Sequence, residues 1–194
     1  MSIRFACEAD LPQILAIYAP YITDTAYSLE YTVPGLDEFT ARFRRITAQF
    51  PWLVWEEKGR ILGYAYGSLP FERVGYRWSG EASIYLHPDA HRKGIGRVLY
   101  TALEELMKLQ GYRNIYAIIT AANETSVAFH QALGYHKMAH FTRCAYKFGH
   151  WMDVIWMEKQ LQIVDSPKDF PLPIADIVKT NRNICDILDN LSLS

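Results

Sequence analysis

One stretch limits what this chain can fold into more than any other: Glu81 to Leu109, EASIYLHPDAHRKGIGRVLYTALEELMKL. Ala82 to Leu86 is mostly apolar, the pattern of a buried strand, and His87-Pro88-Asp89 closes it. Apolar residues then recur at Ile95, Val98, Leu99, Ala102, Leu103, Leu106 and Met107, a spacing that lines one face of a helix. Between the two, His91-Arg92-Lys93-Gly94-Ile95-Gly96 brings glycines to the helix start. The N–H groups of a first helical turn have no carbonyl partner within the helix, and glycine lets another group approach the backbone closely. Arg92, Lys93 and Arg97 add positive charge beside them. The junction reads as a cradle for a pyrophosphate. A strand, a Gly-x-Gly loop and a helix can also meet in this way for close packing alone. Neither the dinucleotide-binding fingerprint nor the P-loop fits, because a third glycine and a Gly-Lys-Ser/Thr step are both missing.

The flanking pattern is that of one mixed domain. Ser2 to Ala6 reads as a strand; Asp10 then caps a helix carrying Leu11, Ile14, Leu15, Ile17 and Tyr18, which Pro20 kinks or ends. Thr23 to Pro34 reads as a loop with some extended structure, and Asp37 opens a second helix with Phe39, Phe43, Ile46 and Phe50 inward. Trp52 to Glu57 and Arg60 to Ser68 form a hairpin across Lys58-Gly59. Leu69 to Gly80 reads as a substrate-facing loop or a plain surface connection. After the central helix, closed by Gly111, come a buried strand over Asn114 to Thr120 and a short helix over Asn123 to Leu133. Tyr135 to Lys147 and Trp151 to Gln160 pair around Phe148-Gly149-His150. From Ile163 the prolines mark a linker. Ile174, Ile177, Val178, Ile184, Cys185, Leu188 and Leu191 then form an apolar stripe that must be covered, by its own domain or by a second subunit. We expect residues 1–161 to form one domain and 162–194 a linker plus amphipathic helix, with that helix packed on the partner in a homodimer.

Bulk properties narrow the function classes. A formal net charge of −1 argues against a nucleic-acid or anionic-membrane partner held by bulk electrostatics. Cys7, Cys144 and Cys185 are scattered, with neither metal-ligand spacing nor a disulfide framework, so a metal-free chain in a reducing cytoplasm is expected. No apolar run approaches the roughly 18 residues of a membrane span.

Read together, HRKGIG after a strand and NETSVAFHQALGY over Asn123 to Tyr135 resemble the GNAT superfamily of acetyl-CoA-dependent N-acetyltransferases. FPWLVWEE, GYAYG, GEASIYLHPDAHRKGIG, VAFHQALGY and KFGHWMDV make the chain similar to the phosphinothricin and methionine sulfoximine acetyltransferase group. His91 departs from the family's usual Gln or Arg, and the tail after Gln160 has no counterpart in the pattern. The resemblance implies an α/β fold with a mixed central sheet flanked by helices, here with an extra C-terminal helix. It also implies a small amino-acid-like amine as acceptor and acetyl-CoA as donor.

The resemblance assigns residues to these roles. The pantetheine arm would lie along Ile84, Tyr85 and Leu86, with a backbone N–H near Tyr85 or Leu86 on the acetyl carbonyl. The pyrophosphate would rest on Arg92, Lys93, Gly94, Ile95, Gly96 and Arg97, and Asn123 would hold the pantetheine or thioester region. Glu81 stands where the family places a general base, and His130 where many members carry a tyrosine acid and this group a histidine, which could serve as acid or base. Taken alone, Glu81 reads as a surface carboxylate at a strand end and His130 as a packed or capping histidine. Arg73 and Arg77 precede Glu81 and could fork onto a substrate carboxylate, Arg73 falling where the phosphinothricin enzymes have a basic residue and Arg77 matching no such position; both could equally be solvated loop charges. Tyr76, with Tyr27, Tyr31, Phe71 and Trp78, could wall the pocket or pack in the core. The rival readings are a GNAT enzyme for a protein N-terminus, a lysine or an aminoglycoside, and a non-catalytic acyl-CoA-binding module.

Overall fold

The computed structural model describes residues 2–167, 169–181, 184, 187 and 188. Seven strands form one sheet: β1 (Ser2–Phe5), β2 (Trp52–Glu57), β3 (Arg60–Ser68), β4 (Ser79–Leu86), β5 (Asn114–Thr120), β6 (His136–Lys147) and β7 (His150–Gln160). Their order is β1-β2-β3-β4-β5-β7-β6, and every neighbouring pair is antiparallel except β4 and β5. Helices α1 (Leu11–Thr23) and α2 (Leu36–Thr47) cover one face. Helix α3 (Ile95–Gln110) covers the other, and α4 (Glu124–Ala132) and α5 (Ile174–Thr180) join it there. Among the described residues no helix is long and apolar enough to cross a membrane.

The sheet divides the core in two because successive strand residues point to opposite faces. Leu53, Ala65, Ala82, Ile115 and Ala117 pack with Leu99, Leu103 and Leu106 of α3. Trp52, Val54 and Tyr64 pack with Ile14, Tyr18, Phe39 and Phe43 of α1 and α2. Both tight turns read from the sequence are present, with Lys58-Gly59 at φ 51° and 79° and Phe148-Gly149 at φ 51° and 78°. Those left-handed pairs match the twist of the strands they join.

Three expectations are corrected. Helix α1 runs on through Pro20 to Thr23. The carbonyl that Pro20 cannot serve is that of Ala16, and both residues are exposed, so water can take that bond. Asp10 makes no cap bond to α1. Its carboxylate instead accepts from Arg4 at 2.7 and 2.8 Å and from the Cys7 N–H at 2.8 Å. Finally, most of the tail's described apolar stripe is covered by its own domain rather than by a partner subunit, Val178 alone among its described residues being exposed. Ile174, Ile177, Ile184 and Leu188 are buried in this chain's own α3-side core. Cys185 and Leu191 lie outside the described residues.

Candidate active site

Strands β4 and β5 are paired only from Ser79–Glu81 to Asn114–Tyr116 and then part. The wedge between them is a cleft walled by Ala82 to Tyr85, Ala117 to Ile119, and Asn123, Ser126 and His130 from the α4 side. Which peptides of β4 face it follows from alternation. The His87 N–H donates to Leu62 O across β3 at 2.8 Å, so odd-numbered peptides of β4 bond to β3 and those of Ala82, Ile84 and Leu86 face the cleft. Ala82 O accepts from the Tyr100 hydroxyl at 3.1 Å, and Leu86 O from the Tyr21 hydroxyl at 2.7 Å. The N–H and C=O of Ile84 stand between these two, directed into the opening. Tyr85 is the exception among the three residues read as an edge for a ligand. Its peptide turns to Tyr64 of β3, and its ring packs on Tyr18 and Tyr21 at 4.7 and 5.1 Å.

The mouth of the wedge meets the start of α3. The first α-helical bond runs from the Val98 N–H to Gly94 O at 3.2 Å, leaving the N–H groups of Ile95, Gly96 and Arg97 ahead of the ladder. Gly94 is needed for its left-handed φ of 78°, and Arg92 beside it takes φ 60°. Gly96 is needed for proximity: a Cβ there would lie 3.3 Å from Leu86 Cδ1, so its absence lets α3 close on β4. Arg92, Lys93 and Arg97 are exposed, whereas Ile95 is buried and can offer a ligand only its amide. Asn123 Oδ1 accepts from the Ser126 N–H at 3.1 Å, capping α4 and leaving its amide nitrogen as the group able to donate.

Glu81 sits at the apex of the wedge, opposite Ser68 of β3 and Tyr116 of β5. Ala82 points to the α3 side, so Glu81 shares the other face with Tyr85, and its partner Tyr116 shares that face too. Burial pushes the Glu81 carboxyl up to about 7. Next to Tyr116 the rings of Phe71, Tyr76 and Trp156 form an aromatic floor, Phe71 lying 6.2, 4.6 and 5.5 Å from Tyr116, Tyr76 and Trp156. Arg73 is exposed at the start of the turn that carries Tyr76. Arg77 leaves this group, its guanidinium lying 5.9 Å over the Phe170 ring on the tail side. Trp78 also faces the tail, stacked on Phe170 at 5.0 Å. Tyr27 lines the cleft, and the Tyr31 hydroxyl donates to Tyr146 O.

His130 is 2% exposed. Its Nδ1 lies 2.7 Å from Ser126 O, which places the proton on Nδ1, and Nε2 lies 2.8 Å from the Tyr100 hydroxyl. Burial holds the ring's pKa below the ordinary imidazole value, which favours the neutral form. Two residues that sequence reasoning missed belong to this architecture. Tyr100 falls within the apolar run of α3, where nothing local marks its hydroxyl as the link from His130 to Ala82. Lys147, at the end of β6, is also 2% exposed and donates to Ile22 O, Thr25 O and Ser28 O at 2.7, 3.0 and 2.6 Å. It holds the loop after α1, which brings Tyr27 to the cleft, and a lysine in a strand pattern carries no sign of that.

Comparison with known proteins points to one family. Residues 3–156 match the family model described as an acetyltransferase (GNAT) domain. The chain is 30% identical over 168 residues to a phosphinothricin N-acetyltransferase of Streptomyces viridochromogenes, covering 87% of this chain and 92% of that one. It is 37% identical over 164 residues to an L-methionine sulfoximine/L-methionine sulfone acetyltransferase of Pseudomonas aeruginosa, covering 82% and 94%. A GNAT superfamily phosphinothricin acetyltransferase from Sinorhizobium meliloti, solved in complex with AcCoA, superposes with a TM-score of 0.81 at 33% identity, over 88% of this chain and 97% of that one.

Proposed function

The chain belongs to the GNAT acetyltransferase family and is an N-acetyltransferase, and from that premise we propose that it acetylates the amino group of a small amino acid or analogue, of the phosphinothricin and methionine sulfoximine kind. The observation that carries this reading is the placement of Glu81. A carboxyl with its pKa pushed up to about 7 stands where the β4–β5 cleft meets the aromatic floor. Such a group is a usable base for an ammonium near neutral pH.

Acetyl-CoA would supply the acetyl thioester as electrophile and the thiolate as leaving group. The groups on the page suit it. The amides of Ile95, Gly96 and Arg97, flanked by Arg92, Lys93 and the φ-positive Gly94, suit a diphosphate. The main chain of Ile84 offers a strand edge to an amide-bearing arm, Leu86 being engaged by the Tyr21 hydroxyl, and Asn123 offers a side-chain donor. Glu81 takes a proton from the bound ammonium, directly or through water. The Ile84 N–H, directed into the cleft, is suited to donate to a carbonyl oxygen as it gains negative charge. Arg73 pairs with the substrate carboxylate, and Phe71, Tyr76 and Tyr116 pack on its side chain. His130 acts through Tyr100, keeping α4 and β4 at the right separation, and is a positioning residue in this reading.

The test is thiol release from acetyl-CoA with a panel of free amino acids, an aminoglycoside and a peptide N-terminus as acceptors. Faster release with methionine sulfoximine or phosphinothricin than with the other acceptors is expected. If acetyl-CoA binds and no acceptor accelerates release, the chain is an acyl-CoA-binding module and the reading fails.

A further inference from the structure

The family model ends at residue 156, and the tail beyond it returns across the C-terminal end of α3. The tail is anchored on both sides of a span of irregular chain. Before the span, Gln162 Nε2 donates to Lys108 O and Tyr112 O at 3.0 and 2.8 Å. After it, the Leu172 N–H donates to Gln110 O at 2.8 Å, the Ile174 N–H donates to Gln49 O at 3.0 Å, and Gln110 Nε2 returns a bond to Leu172 O at 2.7 Å. Ile174 and Ile177 then bury in the core. These anchors flank Asp169 and Phe170 in the chain.

That span grips the loop preceding Glu81. Trp78 Nε1 donates to Asp169 O at 3.1 Å, the Trp78 ring stacks on Phe170 at 5.0 Å, and the Arg77 guanidinium lies 5.9 Å over the same ring. A cavity of about 240 Å³, lined by Gly75, Trp78, Arg113, Val164 and Pro167, opens between loop and tail nearby; Phe170 does not line it, and it is not part of this grip. Trp78 leads directly into Ser79, Gly80 and Glu81. The other part of the same loop carries Phe71 and Tyr76 on the aromatic floor.

We propose that Phe170 is a positioning residue for the acceptor site: its ring and the adjoining Asp169 carbonyl clamp Trp78 and Arg77, and thereby set the loop of residues 69–78 relative to Glu81. The inference rests on the reading of that loop and Glu81 as the acceptor site. An aromatic ring gripped on one face by an indole and approached by a guanidinium holds orientation as well as area. A tail that joins the domain's core to this loop also makes acceptor binding depend on residues outside the matched family segment.

The test compares the full chain with Phe170→Ala and Phe170→Tyr. For Phe170→Ala we expect the KM for the amino-acid acceptor to rise about tenfold while the KM for acetyl-CoA stays within about twofold. Phe170→Tyr should restore the acceptor KM. Backbone hydrogen exchange over residues 69–78 should quicken in the Ala variant and return to normal in the Tyr variant. Unchanged exchange and unchanged acceptor KM in Phe170→Ala overturn the clamp. Equal losses for both substrates, tracking a loss of folded protein, overturn it as well. Absence of amine-dependent turnover in the unaltered enzyme overturns the acceptor-site reading instead, and with it the positioning role. Exchange over 69–78 still reports separately whether the clamp exists.

Discussion

His130 Nε2 lies 2.8 Å from the Tyr100 hydroxyl, and that hydroxyl lies 3.1 Å from Ala82 O. The two contacts join α4, α3 and β4, the elements around one side of the cleft. With the Nδ1 proton committed to Ser126 O, a neutral ring can only accept at Nε2, so Tyr100 shares its single proton between the ring and Ala82 O. His130→Ala removes the acceptor and opens a cavity. We expect it to lower stability by about 2–4 kcal/mol and kcat by less than about tenfold. Urea denaturation beside steady-state kinetics checks both. A loss in kcat above about a hundredfold at unchanged stability would instead make the ring a direct proton carrier.

Glu81→Gln keeps the shape of the side chain and removes its basicity. Turnover should fall by at least about a hundredfold while acetyl-CoA affinity, measured by calorimetry, stays nearly unchanged. In the unaltered enzyme kcat/KM for the amine should rise with pH through an inflection near 7, where the Glu81 carboxyl ionises, and the variant should lack that inflection. Parallel loss of turnover and cofactor affinity would mark the residue as structural.

The same substitution should stabilise the fold at alkaline pH. The Glu81 carboxyl ionises at about 7 in the folded chain and near 4.5 when unfolded, so the unfolded state loses its proton first and stability falls as pH rises between those values. The full difference corresponds to about 3 kcal/mol. Glu81→Gln should therefore raise the thermal midpoint at pH 8 and leave it nearly unchanged at pH 4.5. An equal shift at both values would mean that desolvation of the charge is not the cause.

The two arginines of the loop should behave differently. Arg73 is free to meet a carboxylate, whereas Arg77 is turned onto Phe170. Arg73→Ala should raise the acceptor KM by about 10- to 100-fold, the range of a charge-assisted hydrogen bond. Arg77→Ala should raise it by less than about fivefold, with its effect passing through the loop. Equal effects would place both guanidiniums on the substrate.

Lys147 is buried and donates to three carbonyls, of Ile22 at the end of α1 and of Thr25 and Ser28 beyond it. Lys147→Met would leave Ile22, Thr25 and Ser28 without that donor. We expect a loss of about 2–4 kcal/mol, read by urea denaturation, and faster hydrogen exchange over residues 24–31. Unaltered exchange there would show that the loop is held by its other contacts.

Much of the frame was legible because its signals are local. The period of α3, the left-handed Gly111 at its end and the Lys58-Gly59 and Phe148-Gly149 turns all follow from steric rules that act over a few residues. Gly94, expected to allow close approach, serves through its left-handed φ instead. Pro20 does not end α1: the rule that a proline ends a helix leaves out exposure, and Ala16, whose carbonyl loses its partner, and Pro20 are both exposed. The tail's apolar stripe was legible as a stripe, but the surface that covers it was not. Tyr76, Arg73 and Arg77 share one short loop, yet the aromatic floor and the tail draw Tyr76 and Arg77 in different directions.

The sequence by itself determined the order of strands and helices, the glycine-bearing start of α3 and the family whose pattern these make. Only the tertiary structure decided that alternate peptides of β4 face a cleft, that burial carries Glu81 to about 7, and that Phe170 reaches Trp78 across 92 positions of chain. The reason is physical. Backbone sterics and side-chain period act between near neighbours, whereas desolvation and edge exposure depend on which distant segments come to lie beside a group.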